Sequence, residues 1–147
     1  MKKRKPLTGA QLREKLGKAA HKYIGRPYRY GSKLHHAPNY FDCSSFIKFI
    51  YRKIGVDLTR PSIRMAEEGR AVSKKPLVLQ AGDLLYFRGM QGRYNKKFPQ
   101  GIGHVAMYVG EGKVVHAKWH RQGGKVTEES VKKLLSRKDL VIIKRII

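Results

Sequence analysis

The chain has 147 residues, with 33 Lys+Arg against 10 Asp+Glu and a formal net charge of +23. That length suits one domain with a real core, and 41% hydrophobic residues exclude a wholly disordered chain. One cysteine excludes an intrachain disulfide framework and a four-thiolate zinc site, and no apolar run approaches the ~18 residues of a membrane span. The charge bounds partners rather than fold. It suits polyanions: nucleic acid, anionic lipid headgroups or an acidic wall polymer.

In chain order, residues 1–7 read as a solvated basic tail. Lys2-Lys3-Arg4-Lys5 resembles the start of a secretory signal, but Gln11, Arg13, Glu14 and Lys15 stand where its apolar stretch would follow. No Sec signal is therefore expected, and location stays open: release by another route, a phage particle or lysis system, or processing inside the cell. Thr8 caps a predicted helix with Leu12, Leu16, Ala19, Ala20 and Tyr23 on one face. Gly25 and Pro27 end it, and 26–40 reads as a loop. Phe46, Ile47, Ile50, Tyr51 and Ile54 predict a second helix, closed by Gly55. Pro61 opens a short helix expected to run through Glu68.

The second half changes period. Residues 84–87, 105–109 and 114–117 predict strands, with Gly110-Glu111-Gly112 as the turn joining the last two. A short helix is expected over 128–136 and a final strand over 140–147. Helices first and an antiparallel sheet second give a single α+β domain over 8–147. The stretch 88–103 carries Arg88, Arg93, Lys96 and Lys97 without pattern. It reads equally as a functional loop or a surface insertion.

The cysteine lies in Phe41-Asp42-Cys43-Ser44-Ser45-Phe46. Asp42 is a good N-cap, which places Cys43 in the first turn of the second helix. A helix N-terminus favours a thiolate, so a lowered thiol pKa is expected there. The alternative is a small buried hydrophobe. A nucleophilic thiol needs a base, and the base an orienting group. His104 opens one predicted strand and His116 lies inside the next, so a hairpin puts them on adjacent antiparallel strands. The sequence does not fix the register, but the two could approach on one face. No metal is expected: His116 and His120 are four apart on a strand, and His35-His36 is a loop pair.

The series Pro27-Tyr28-Arg29-Tyr30-Gly31, Phe41-Asp42-Cys43-Ser44-Ser45, residues 81–87, Gly103-His104 through Gly110, and Val115-His116-Ala117 resembles the NlpC-type cell-wall cysteine peptidases. The resemblance implies a papain-like fold. It implies Cys43 as nucleophile, His104 as general base and His116 as the residue orienting that base. Tyr28 aligns with a tyrosine near the thiolate whose hydroxyl helps hold the oxyanion. Asp42 and Gly82-Asp83 are structural on the same reading. The implied reaction is hydrolysis of peptidoglycan stem-peptide or muropeptide amides, usually a γ-D-glutamyl-diamino acid bond, through an acyl-enzyme and with no cofactor. The chain departs from the pattern at Ser45, where the family usually has glycine, and at Gly31-Ser32, where a glycine pair is common. It also carries extra histidines at 35 and 36. Two other readings stand beside this one: a non-enzymatic domain binding nucleic acid or wall polymer, and a related thiol amidase or acyltransferase.

Overall fold

The computed structural model describes residues 5–90 and 92–147. Helix α1 spans Gly9–Lys22, α2 Cys43–Arg52, α3 Ser62–Met65 and α4 Val131–Leu135. The strands are β1 Arg70–Val72, β2 Leu84–Phe87, β3 His104–Gly110, β4 Lys113–Lys118, β5 Lys125–Ser130 and β6 Leu140–Arg145. They form one six-stranded sheet in the order β1-β6-β2-β3-β4-β5, and every pairing is antiparallel. This is the α+β arrangement expected from the order of elements.

Both long helices start where the sequence places their caps. Thr8 and Gln11 close a reciprocal capping box on α1. On α2, Asp42 Oδ1 accepts the Ser45 N–H at 2.8 Å, and Ser45 Oγ accepts the Asp42 N–H at 2.9 Å. The departure from glycine at position 45 therefore completes the cap at the helix carrying Cys43. Ser45 is buried, so nothing replaces its hydroxyl when it is removed. Ser45→Gly is expected to cost about 2 kcal/mol. About 1 comes from glycine in a helix and about 1 from the unpaired Asp42 N–H. A urea melt of the variant against wild type measures this.

Strand alternation sorts the core into two layers. Tyr86, Val105, Met107, Val115 and Ala117 face α1 and α2, packing on Leu16, Phe46, Ile47 and Ile50. Leu85, Phe87, Ala106, Tyr108 and Val114 face the other way, against Val131 and Leu134 of α4. The β3–β4 hairpin turns at Gly110-Glu111-Gly112, where all three residues have positive φ. Two glycines in three positions make that turn accessible to the backbone.

The structure corrects the sequence reading at several elements. Residues 128–130 belong to β5, not to a helix, and only Val131–Leu135 is helical. The six residues of β5 pair along the whole of β4, and this ladder outweighs the helix propensity of Glu128 and Glu129. The short helix after Pro61 stops at Met65 rather than Glu68. The last strand ends at Arg145 rather than 147. Strand β1, which pairs with β6 at the sheet edge, was not expected; three residues are too short for a pattern. Of the basic tail, Lys5, Pro6 and Leu7 are exposed and irregular. Lys2, Lys3 and Arg4 lie outside the described residues. Among the described residues no helix is long and apolar enough to cross a membrane.

Candidate active site

A cleft of about 700 Å³ opens beside the N-terminus of α2. Tyr28, Cys43 and His104 all line it. Cys43 enters as the first residue of α2, and its Sγ lies 3.8 Å from the carbonyl oxygen of Gly103, the residue before β3. A Cβ at Gly103 would stand 2.7 Å from the Arg88 carbonyl oxygen and 2.8 Å from the Gly92 nitrogen. Only glycine lets the 88–103 loop close on the start of β3, where His104 lines the same cleft as Cys43. That loop is part of the site: Gly89, Met90, Arg93 and Ile102 form cleft wall, and Phe98 and Ile102 are buried beneath.

His104 and His116 meet, as the hairpin reading allowed. Met107 pairs with Val115 and Tyr108 with Val114, so alternation puts both histidines on one sheet face. His104 Nε2 lies 2.7 Å from His116 Nδ1. The next contact was not foreseen. On β5, Thr127 pairs with His116 and Glu129 with Val114, which brings Glu129 to the same face. Its Oε2 lies 2.5 Å from His116 Nε2, and Lys133 Nζ donates to its Oε1 at 2.8 Å. Reading 128–136 as helix hid this residue. The available signal was the β-branched pair Val126-Thr127 directly before that stretch.

Tyr28 is held by an isolated bridge to Phe41, two residues before Cys43. Burial, with Cys43 and Asp42 nearby, raises its hydroxyl pKa, so the group stays a proton donor. Arg60, another residue missed in the sequence, ties the loop before α3 to the start of α2. It donates to Asp42 Oδ2 at 2.7 Å, to Ser44 Oγ at 3.0 Å and to the Ser32 carbonyl at 2.9 Å. The capping carboxylate is thus occupied on both oxygens, consistent with a structural Asp42.

The expected lowering of the Cys43 pKa is not found. Burial pushes the thiol up to about 12, and Asp42 adds to this. The Val105 and Ser44 N–H groups and Arg60 act in the opposite sense but do not overcome desolvation. His104 is pushed well below the usual imidazole range by burial, then by His116. His116 is lowered by burial, against the opposing pull of Glu129. Glu129 is held well below the usual carboxylate range, first by its hydrogen bond to His116. The resting site is a neutral thiol, two neutral imidazoles and one carboxylate. Among the described residues no group of three or more His, Cys, Asp or Glu is placed to hold a metal ion.

A cysteine opening a helix, beside a histidine on an antiparallel sheet, is the arrangement of papain-like thiol hydrolases. Comparison with known proteins narrows the class. The NlpC/P60 family profile matches residues 25–145. The chain is 39% identical over 77 residues to a γ-D-glutamyl-L-lysine dipeptidyl-peptidase of Bacillus cereus, covering 52% of this chain and 21% of that one. It is 29% identical over 99 residues to the probable endopeptidase p60 of Listeria grayi, covering 67% and 17%. Its fold resembles the peptidoglycan hydrolase RipB of Mycobacterium tuberculosis, with TM-score 0.70, 27% identity and coverage of 93% and 65%. The chain belongs to the NlpC/P60 family. It spans about a fifth of the length of these two curated relatives.

Proposed function

We propose that this protein is a cysteine peptidase that hydrolyses an amide of a peptidoglycan stem peptide, the bond between γ-D-glutamate and a diamino acid. The observation that carries the reading is the shared cleft of Cys43 and His104, with His104 hydrogen-bonded to His116. The dipeptidyl-peptidase relative, named for a γ-D-glutamyl-L-lysine bond, supports the choice of bond.

The chemistry follows from the protonation states. His104 Nε2 is engaged by His116, so Nδ1 is the nitrogen left to accept a proton. Because the resting thiol is neutral, the S–H proton passes to His104 Nδ1 as sulfur attacks the carbonyl carbon. Tyr28 O–H and the Cys43 backbone N–H donate to the developing oxyanion. His104 then gives its proton to the leaving amine, releasing it and leaving a thioester. Water, deprotonated by His104, attacks the thioester, and the carboxylate product leaves as the thiol regains its proton. This cycle uses protein side chains and water alone. Mass spectrometry of the products from γ-D-glutamyl-diaminopimelate muropeptides tests the assignment. New amine and carboxylate ends at that bond are expected. Cleavage elsewhere, or none, sinks it.

The charge supports an anionic target. Arg60, Arg93, Lys118 and Arg137 line the cleft with Asp42 and Asp139, and each of these acids is already paired with an arginine. Stem peptides and wall polymers carry free anionic groups that match this surplus. Attraction across a surface is screened over ~8 Å at physiological ionic strength. Activity on whole wall is therefore expected to fall more steeply with salt than activity on a small soluble peptide. Parallel salt titrations of the two substrates make the comparison. Equal slopes would remove the wall polymer as the reason for the charge, and a filter-binding assay would then ask whether nucleic acid is held instead.

A further inference from the structure

We infer that Glu129 is a positioning residue, whose carboxylate fixes the tautomer of His116 and, through it, the nitrogen that His104 presents to Cys43. The inference rests on the proposed role of His104 as base, and it extends the constellation by one member. Its basis is a continuous line of contacts. His104 Nε2 lies 2.7 Å from His116 Nδ1, and His116 Nε2 lies 2.5 Å from Glu129 Oε2. His116 is fully buried and the Glu129 side chain is 11% exposed, so water offers no ready substitute partner.

Each link dictates the next. An ionised carboxylate only accepts, so the proton of neutral His116 must sit on Nε2. His116 Nδ1 is then a lone pair and can only accept. His104 must therefore carry its proton on Nε2, which leaves Nδ1 free to take the thiol proton. Without the carboxylate this order has no anchor. His116 could place its proton on Nδ1 and donate to His104 Nε2. His104 would then hold its own proton on Nδ1, and the base would be blocked. Lys133 and Lys118 keep the anchor ionised, at 2.8 and 3.4 Å from Glu129 Oε1. β5 supplies this carboxylate because its register with β4 puts Glu129 on the histidine face.

Charge gives a second consequence. When His104 becomes an imidazolium, Glu129 is the anion that favours it, against Lys118 and Arg137 and beside His116. Lys133 on α4 faces the carboxylate itself, and Cys43 on α2 is neutral at rest. Glu129→Gln removes one negative charge and leaves these cations in place. The His104 pKa must then fall.

The test compares wild type with the isosteric Glu129→Gln. Long-range 1H–15N NMR reads the tautomers directly. Both histidines are expected to carry hydrogen on Nε2 in wild type, and a mixture is expected in the variant. The same proteins are followed by the pH dependence of Cys43 alkylation with iodoacetamide, which needs no knowledge of the substrate. The equivalent carboxylate-to-amide change in a serine triad costs about 10⁴ in kcat, and with one more ring intervening a loss of at least ~10-fold at neutral pH is expected. The acid limb of the profile is expected to move to lower pH. Thermal melts show whether both proteins are folded. Wild-type His116 protonated on Nδ1 would overturn the inference. So would a variant with a lowered Tm but unchanged tautomers and an unchanged acid limb, which would make Glu129 merely structural. Because neither readout uses a peptide, a wild type inert on muropeptides would count against the proposed substrate and leave this result standing.

Discussion

Cys43→Ala is expected to lower hydrolysis of a γ-D-glutamyl-diaminopimelate peptide by at least ~10⁴-fold, to the level of background. The size of the effect follows from the proposed chemistry: without sulfur no acyl-enzyme forms at position 43. Ser44 is the nearest hydroxyl in sequence, but its Oγ accepts from Arg60 and sits within the buried network at the helix start. The substitution should cost little stability. It removes one sulfur atom from the buried floor of the cleft, and the reciprocal cap between Asp42 and Ser45 is untouched. The measurement is product analysis by mass spectrometry on digested peptidoglycan, with the melting temperature followed in parallel. Undiminished cleavage by the folded variant would falsify the thiol mechanism. A retained ability to bind wall polymer alongside lost cleavage would show that the charge and the chemistry are separable.

Much of this site was legible because its parts are local. A helix with Phe46, Ile47, Ile50 and Tyr51 on one face, begun by Asp42, fixes where Cys43 stands. The glycines at 110 and 112 mark a hairpin, which puts the histidines at 104 and 116 on adjacent strands. The register shift between Tyr108 and Gly110 that brings them to one face is not legible in the sequence. The fold class followed from the same local periods. What escaped is non-local or depends on magnitude. Glu129 joins the site only through the β4–β5 ladder, and a Glu-Glu-Ser-Val-Lys-Lys stretch looks helical on its own. Arg60 reaches Ser32, Asp42 and Ser44 across gaps of 28, 18 and 16 residues, which no spacing rule reveals. The thiol pKa failed for a third reason. The helix N-terminus is readable from sequence, but the burial that outweighs it is a property of the packed core.

The protonation states lead to the second large effect, that of His104→Ala. In the proposed mechanism the productive form is neutral thiol with neutral imidazole. Burial and His116 hold the His104 pKa well below the ordinary value, so kcat/KM should rise with pH only in the acid range and then stay flat. No alkaline limb belonging to His104 is expected between about pH 7 and 9. A resting thiolate–imidazolium pair gives the opposite sign: its activity declines on the alkaline side as the imidazolium loses its proton. In His104→Ala the base is gone, and the thiol that burial holds up in wild type has no imidazole to take its proton. A loss of about 10⁴-fold or more is expected at neutral pH, by analogy with removal of a triad base. What remains should climb about tenfold per pH unit through the alkaline range, following the thiolate fraction. The acid side needs one control. His104 and His116 both have folded pKa values below the unfolded value near 6.5, so their burial becomes a cost as pH falls below that value. Stability and activity are thus both lost towards acid, and melts at each pH separate them. A wild-type alkaline limb near neutrality, or a flat alkaline profile for His104→Ala, would return the site to a preformed ion pair and remove the neutral-thiol route.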